Sequence, residues 1–288
     1  TVNPCIKAAM KASPHTFDSL ISDKLTADMI PNFIYGSYTG LAVTVFGLVP
    51  TITAMFGKSI LPSLAESCAK NDKKAMQSGL TKMLIVTSII AIPAGMGIAV
   101  LSEPILRFLF GGRETEIQVC IMPLSILGIA VIFLAIATPC FSILQTLGKP
   151  HKAIIIMLAG GIIKLFLNII LIRQPVINIS GAAISTLVSE VFICVLSVRS
   201  VCKMTDLKPK VSEIFVKPTY AAIMCSVTAI LSHETLTKIA HLQINHRSVT
   251  LFSIGIGSTM YFFCLYLLCE TPKNIVNYIF SKKNPQNP

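Results

Sequence analysis

Lys164 and Glu190 are the residues whose type and position most suggest chemistry. Each lies deep in an apolar run long enough to cross a membrane, where a charge is costly unless it meets a partner or a water-filled cavity. Lys164 stands eight residues from the end of the run 153–172. That is roughly 12 Å of helix at about 1.5 Å per residue, too far for its stem to carry the ammonium comfortably to the surface. Glu190 stands eight residues into the next run, 182–201. A tight turn through 173–181 makes the two runs antiparallel neighbours and brings both charges to one depth. Two chemistries follow, and the sequence leaves both open. One is an ion pair locking the two helices together; the other is a lysine free to attract a lipid phosphate in a central cavity. Gly160, Lys164 and Asn168 recur every fourth residue, so they share one helix face, which is expected to look into the bundle rather than at lipid.

Other polar residues admit plainer readings. Lys58 lies near the end of its run and can snorkel to the interface. Glu103 and Arg107 are spaced i, i+4 with Pro104 suited to a first turn, which predicts a surface pair on a short interfacial helix. Gly36 and Gly40 form a small-xxx-small pattern that carries little weight alone. No phosphate loop, GxSxG or His pair with a Glu occurs, and His15, His151, His233, His241 and His246 all fall in expected loops. The nine cysteines form no CxxC and read as small buried hydrophobes rather than metal ligands or disulfides. The expectation is no covalent catalysis, no metal and no cofactor.

The elements that must position these residues follow from composition. Of 288 residues, 53% are hydrophobic and only 13% charged, with a mean hydropathy of +0.74. One soluble core cannot hide so much apolar surface, so lipid must solvate it. Seven runs are long enough to span the hydrocarbon: 38–62, 81–101, 124–147, 153–172, 182–201, 215–231 and 249–268. The sixth is weakest, with Pro218 near its start and His233 and Glu234 closing it. Pro50, Pro93 and Pro139 fall inside spans, where they predict kinks. Phe33, Tyr35 and Tyr38 cluster at the outer entrance of the first span, and Tyr278 and Phe280 follow the last on the inner side, as an aromatic belt would.

The net charge of +11 is spread over patches between runs, which excludes a nucleic-acid face and fits membrane loops. Alternate connections are rich and poor in Lys and Arg. Lys70, Lys73, Lys74 and Lys82, then Lys149 and Lys152, then Arg199, Lys203, Lys208, Lys210 and Lys217, then the tail, hold fourteen; the intervening connections hold five. That asymmetry predicts an all-α, multi-pass protein of the cytoplasmic membrane with its C-terminus in the cytoplasm. The domain reading is an irregular, poorly ordered lead-in over 1–33, a transmembrane lobe over 34–270 and a basic tail over 271–288. The chain opens on Thr1 with no signal peptide and is expected to be a fragment.

Several stretches then resemble a known family. They are Tyr35-Gly36-Ser37-Tyr38-Thr39-Gly40, Leu61-Pro62-Ser63, Leu101-Ser102-Glu103-Pro104-Ile105-Leu106, Leu144-Gln145-Thr146-Leu147-Gly148-Lys149-Pro150, Gly161-Ile162-Ile163-Lys164-Leu165 with Asn168, and Ile179-Ser180-Gly181-Ala182-Ala183-Ile184-Ser185-Thr186. In this order they resemble the stage V sporulation protein B and polysaccharide biosynthesis family, which sits beside the lipid II flippases in the multidrug/oligosaccharidyl-lipid/polysaccharide exporter superfamily. The match runs from about Ile34 to Lys217, and more loosely beyond.

The resemblance implies a bacterial protein of fourteen helices in two lobes, of which this chain holds the eighth to fourteenth. It implies alternating access that carries an undecaprenyl-linked glycan across the membrane, with a cationic cavity for the pyrophosphate. Lys164 maps onto a lysine of the family pattern. Leu41 stands where relatives commonly carry Lys, and the residues before Phe33 do not resemble the seventh helix. Two other readings remain: a drug/cation antiporter lobe, which would favour buried carboxylates, and a non-transporting scaffold that pairs with a separate N-terminal lobe.

Overall fold

The structure, a computed structural model, describes residues 2–12, 29–70, 72–175, 177–205, 212–240 and 246–268. Ten α-helices run through them: α1 Val2–Ala12, α2 Ile30–Ser37, α3 Val43–Ala69, α4 Lys73–Val100, α5 Ser102–Phe110, α6 Glu114–Thr146, α7 Pro150–Leu171, α8 Ser180–Thr205, α9 Lys217–Ala240 and α10 His246–Leu268. A wider π-helical turn, Tyr38–Ala42, joins α2 to α3 without a break, and another, Ser212–Val216, leads into α9. Seven of these helical stretches are long and apolar enough to cross a membrane, so the chain is an all-helical, multi-pass membrane protein. The tail beyond Leu268, with Tyr278, Phe280 and its lysines, and most of the lead-in, lie outside the described residues.

Helix α6 is the axis, with α3, α4 and α8 packed around it. Beyond that ring α7 leans on α8, and the α9–α10 hairpin leans on α4. The core divides along α6. One cluster gathers the starts of α2, α6 and α8 (Ile34, Ile117, Ala182) with the ends of α4 and α7 (Ile98, Ile172). The other gathers the ends of α3, α6 and α8 (Leu64, Ile143, Val201) with the starts of α4 and α7 (Leu80, Ala153). The Lys-rich connections therefore share one end of the bundle, and the Lys-poor connections share the other.

Local chemistry explains the punctuation. Gly148, at φ +70, closes α6: its own amide bonds Gln145 O at 3.0 Å and the amide of Lys149 bonds Leu144 O at 2.9 Å. Pro150 then opens α7, where a missing N–H costs nothing. Asp72 caps α4 by accepting the Ala75 amide at 3.0 Å. Helices α4 and α6 come together at Gly95 and Gly128, where an added Cβ would strike backbone atoms of the facing helix at 2.6 and 2.5 Å.

Several expectations change. The lead-in through residue 33 contains α1 and the start of α2. Cys5, Ile6 and Ala9 bury one face of α1 in the same cluster as Ile30 and Ile34, and Asn3 Nδ2 donates to Asn32 Oδ1 at 2.7 Å. Eleven residues would be too few for a free helix, but packing supplies what propensity lacks. His151 and His233 lie inside helices, because α7 begins before its apolar run and α9 continues past His233 and Glu234 to Ala240. Polar residues end an apolar run; they do not end a helix. Tyr38 is buried rather than placed in an aromatic belt, and Gly36 and Gly40 face open space rather than a neighbouring helix.

Candidate functional site

The α7–α8 hairpin collects the polar residues that lie at membrane depth. Its turn is tight because Gly181 lets α8 start against the end of α7; a Cβ there would lie 2.9 Å from the carbonyl carbon of Leu171. One face of α7 (Ala153, Ile156, Gly160, Asn168) is buried against α8, while Ile155, Leu158, Ile162 and Phe166 on the other faces are exposed in the manner of a lipid-facing surface.

Along the buried face the three residues four apart do different things. Gly160 admits Ile193: a Cβ there would lie 2.4 Å from Ile193 Cδ1. Asn168 is buried and its Oδ1 receives the Ser185 hydroxyl, whose alternative acceptor is Ala182 O at 2.9 Å. Lys164, between them, is half-buried and within the electrostatic reach of Glu190 on α8. No ion pair within 4.0 Å joins the two, and Glu190 Oε2 is buried without a hydrogen-bond partner. The structure thus brings Gly160, Lys164, Asn168 and Glu190 to one interface.

The hydroxyls of α8 extend this polar seam. Ser185, Thr186, Ser189 and Ser197 are all buried. Each of these hydroxyls can donate to a carbonyl three or four residues earlier, so none needs water. The Tyr38 hydroxyl meets Thr186, which ties the π-turn to the same seam. Sequence reading passed over this row; its signal is the spacing of Ser185 and Ser189, four apart beside Thr186. Leu41 is buried in the core with Tyr38 and Ala42.

A different face of the bundle is open and small. Gly36, Gly40, Thr44, Gly47 and Thr51 recur at helical spacing along α2 and α3, all exposed. A Cβ at any of these three glycines would meet nothing within 4 Å. The extra residue of the π-turn permits this, since it buries Tyr38, Leu41 and Ala42 while leaving Gly40 outside. Thr44 and Thr51 donate to Gly40 O and Gly47 O, both at 2.8 Å. Lys58 is exposed near the Lys-rich end of α3.

At the Lys-poor end, Arg107 on α5 joins Glu103 Oε1 through Nε at 2.9 Å, as the spacing predicted, and also Glu114 Oε2 through Nη1 at 2.6 Å, which the spacing did not reveal. The hydrogen bond to Glu103, ahead of the field of both carboxylates, holds the guanidinium charged even beyond its usual range. A cavity of about 930 Å³ opens beside this triad.

Comparison with known proteins decides the family. The family model described as lipid II flippase MurJ matches residues 31–245, well over half of the chain. The chain belongs to the lipid II flippase MurJ family. The lipid II flippase MurJ of Bacillus subtilis is 21% identical over 225 residues, 76% of this chain and 40% of that protein. The probable low-salt glycan biosynthesis flippase Agl15 of Haloferax volcanii is 27% identical over 186 residues, 63% of this chain and 38% of that protein. The stage V sporulation protein B of Bacillus subtilis is 22% identical over 184 residues, 62% of this chain and 34% of that protein. The chain thus spans 34–40% of the length of these relatives. The match extends from the start of α2 through the whole α7–α8 hairpin and α9.

Proposed function

We propose that this chain acts as the C-terminal lobe of a flippase that moves a lipid-linked oligosaccharide or peptidoglycan precursor across the bacterial cytoplasmic membrane, with its C-terminus in the cytoplasm. The observation that carries the reading is the open, small-residue face of α2 and α3. Gly36, Gly40, Thr44, Gly47 and Thr51, bordered by exposed Leu48 and Ile52, give this surface a share of small and hydroxyl residues that the Ile-, Leu- and Phe-rich exposed side of α7 lacks. Such a face suits close approach by a second lobe, or a water-filled path between lobes, better than hydrocarbon. Family membership and the clustering of Lys-rich connections at one end support the same reading. Alternating access then rocks this lobe against an N-terminal lobe, whether carried on the same polypeptide or another.

In this reading Lys164 and Glu190 hold α7 to α8 by mutual attraction, while Gly160 and Asn168 fit the two helices together. A second reading has Lys164 draw the precursor's phosphate. It is favoured by the half-exposure of Lys164 and by the lack of direct contact with Glu190.

Complementation tests both. Cells depleted of their own lipid II flippase receive the chain alone, or with the N-terminal lobe of a family member, each with Lys164 or with Lys164→Ala. Rescue that needs the N-terminal lobe supports the lobe reading. Loss of transport in Lys164→Ala at normal protein level assigns the phosphate role to Lys164, and loss of the protein itself assigns the structural one. Failure of every combination overturns the transport reading in favour of a scaffold.

A further inference from the structure

The cavity at the Lys-poor end has a composition that the transport reading does not use. Its walls come from the end of α4 (Ala99, Leu101), from α5, from the first turns of α6, from α9 (Ile230, His233, Glu234) and from Thr250 of α10. At about 930 Å³ it has the size of sites that enclose a small amphiphile.

Charge and greasiness are separated by depth. Glu103, Arg107 and Glu114 line the part nearest the helix ends, with His233 and Glu234 facing them from α9. Ile121, Met122 and Ser125 lie seven to eleven residues further along α6 than Glu114, roughly 10–16 Å deeper along the axis. Ser125 is quiet there, since its hydroxyl donates to Ala99 O at 2.7 Å. Met122 is 63% exposed, so the apolar part opens sideways to whatever surrounds the bundle.

The charges at the mouth do not cancel. Three carboxylates face one guanidinium, and that guanidinium is already engaged by Glu103 and Glu114. Glu234 makes no ion pair among the described residues. Excess negative charge over an apolar slot calls for a cation attached to a hydrocarbon chain. Among the described residues no group of three His, Cys, Asp or Glu is placed to hold a metal ion, which favours an ammonium over a divalent ion.

We infer that the cavity between α5, α6 and α9 binds an amphiphile with an ammonium head group, the head between Glu234 and Glu103 and the chain along Met122 and Ile121. The ammonium can come from an aminophospholipid of the surrounding leaflet or from a soluble lipophilic amine. The inference stands whether or not the lobe carries a lipid-linked glycan.

Native mass spectrometry of the full chain tests it, with phosphatidylethanolamine and phosphatidylglycerol of matched acyl chains offered together and dodecylamine as competitor. One charge-assisted contact predicts roughly tenfold preferential retention of the ethanolamine lipid. Glu234→Gln should reduce that to parity, whereas Glu66→Gln, whose carboxylate pairs with Lys70 at the other end of the bundle, should not. Met122→Trp, which fills the slot and spares every charge, should exclude both lipid and dodecylamine. Glu234-dependent binding of dodecylamine without lipid preference assigns the site to soluble amines. Retention of both lipids alike, with dodecylamine indifferent to Glu234 and Met122, overturns the inference.

Discussion

Gly95 of α4 and Gly128 of α6 meet backbone to backbone at the centre of the bundle: a Cβ on Gly95 would lie 2.6 Å from Gly128 O, and one on Gly128 would lie 2.5 Å from Ala99 N. Main chain cannot move aside as a flexible side chain can. Gly128→Ala must therefore separate the two helices and is expected to cost about 1–3 kcal/mol. Gly97→Ala in α4, two residues beyond Gly95, meets nothing within 4 Å and should be neutral or stabilising by up to about 1 kcal/mol. Equilibrium unfolding in mixed detergent measures both, and equal effects would mean that the crossing is not the close one described.

Lys164 and Glu190 should be coupled across the α7–α8 interface. Neutralising either leaves the other half-buried without its compensating charge, so Lys164→Met and Glu190→Gln should each destabilise. The double variant should recover part of the loss, giving a coupling energy of about 0.5–3 kcal/mol in a double-mutant cycle. Strict additivity would show that the two do not share an electrostatic environment.

Asn168 and Ser185 form a neutral pair in the same seam. Ser185→Ala removes the donor and leaves a buried amide oxygen unmatched, at an expected cost of about 1–3 kcal/mol. Replacing both, Asn168→Leu with Ser185→Ala, removes the unmatched group along with the bond and should be milder than Ser185→Ala alone. The same unfolding assay separates the two.

What the sequence could reveal was what depends on period and punctuation. Hydropathy located seven spans, and i, i+4 spacing paired Glu103 with Arg107. Much of the family resemblance consists of turn and cap chemistry: Gly148 and Pro150 end one helix and start the next, and Gly181 closes the α7–α8 turn. Those roles are local, so they leave a mark in local sequence. Contacts between distant segments leave none. Glu114 reaching Arg107, Ile193 filling the space beside Gly160, and α1 folding onto Ile30 and Ile34 each depend on how the helices are arranged. The depth match of Lys164 and Glu190 was legible because a short turn makes register a matter of counting.

Orientation in the membrane is the remaining step from fold to transport, and the two ends of the bundle give it a direct test. Lys74 and Lys149 lie in or beside Lys-rich connections at one end, while Arg113 and Arg173 lie in Lys-poor connections at the other. A bias of fourteen basic residues against five should fix the Lys-rich end in the cytoplasm. The native Cys5, Cys120, Cys140, Cys194 and Cys264 are buried, and a cysteine-depleted background removes the rest. Single cysteines at 113 and 173 should then react with an impermeant maleimide in intact spheroplasts, while those at 74 and 149 should react only after lysis. The reverse pattern would put the cavity beside Arg107 in the cytoplasmic leaflet and overturn the proposed cytoplasmic C-terminus.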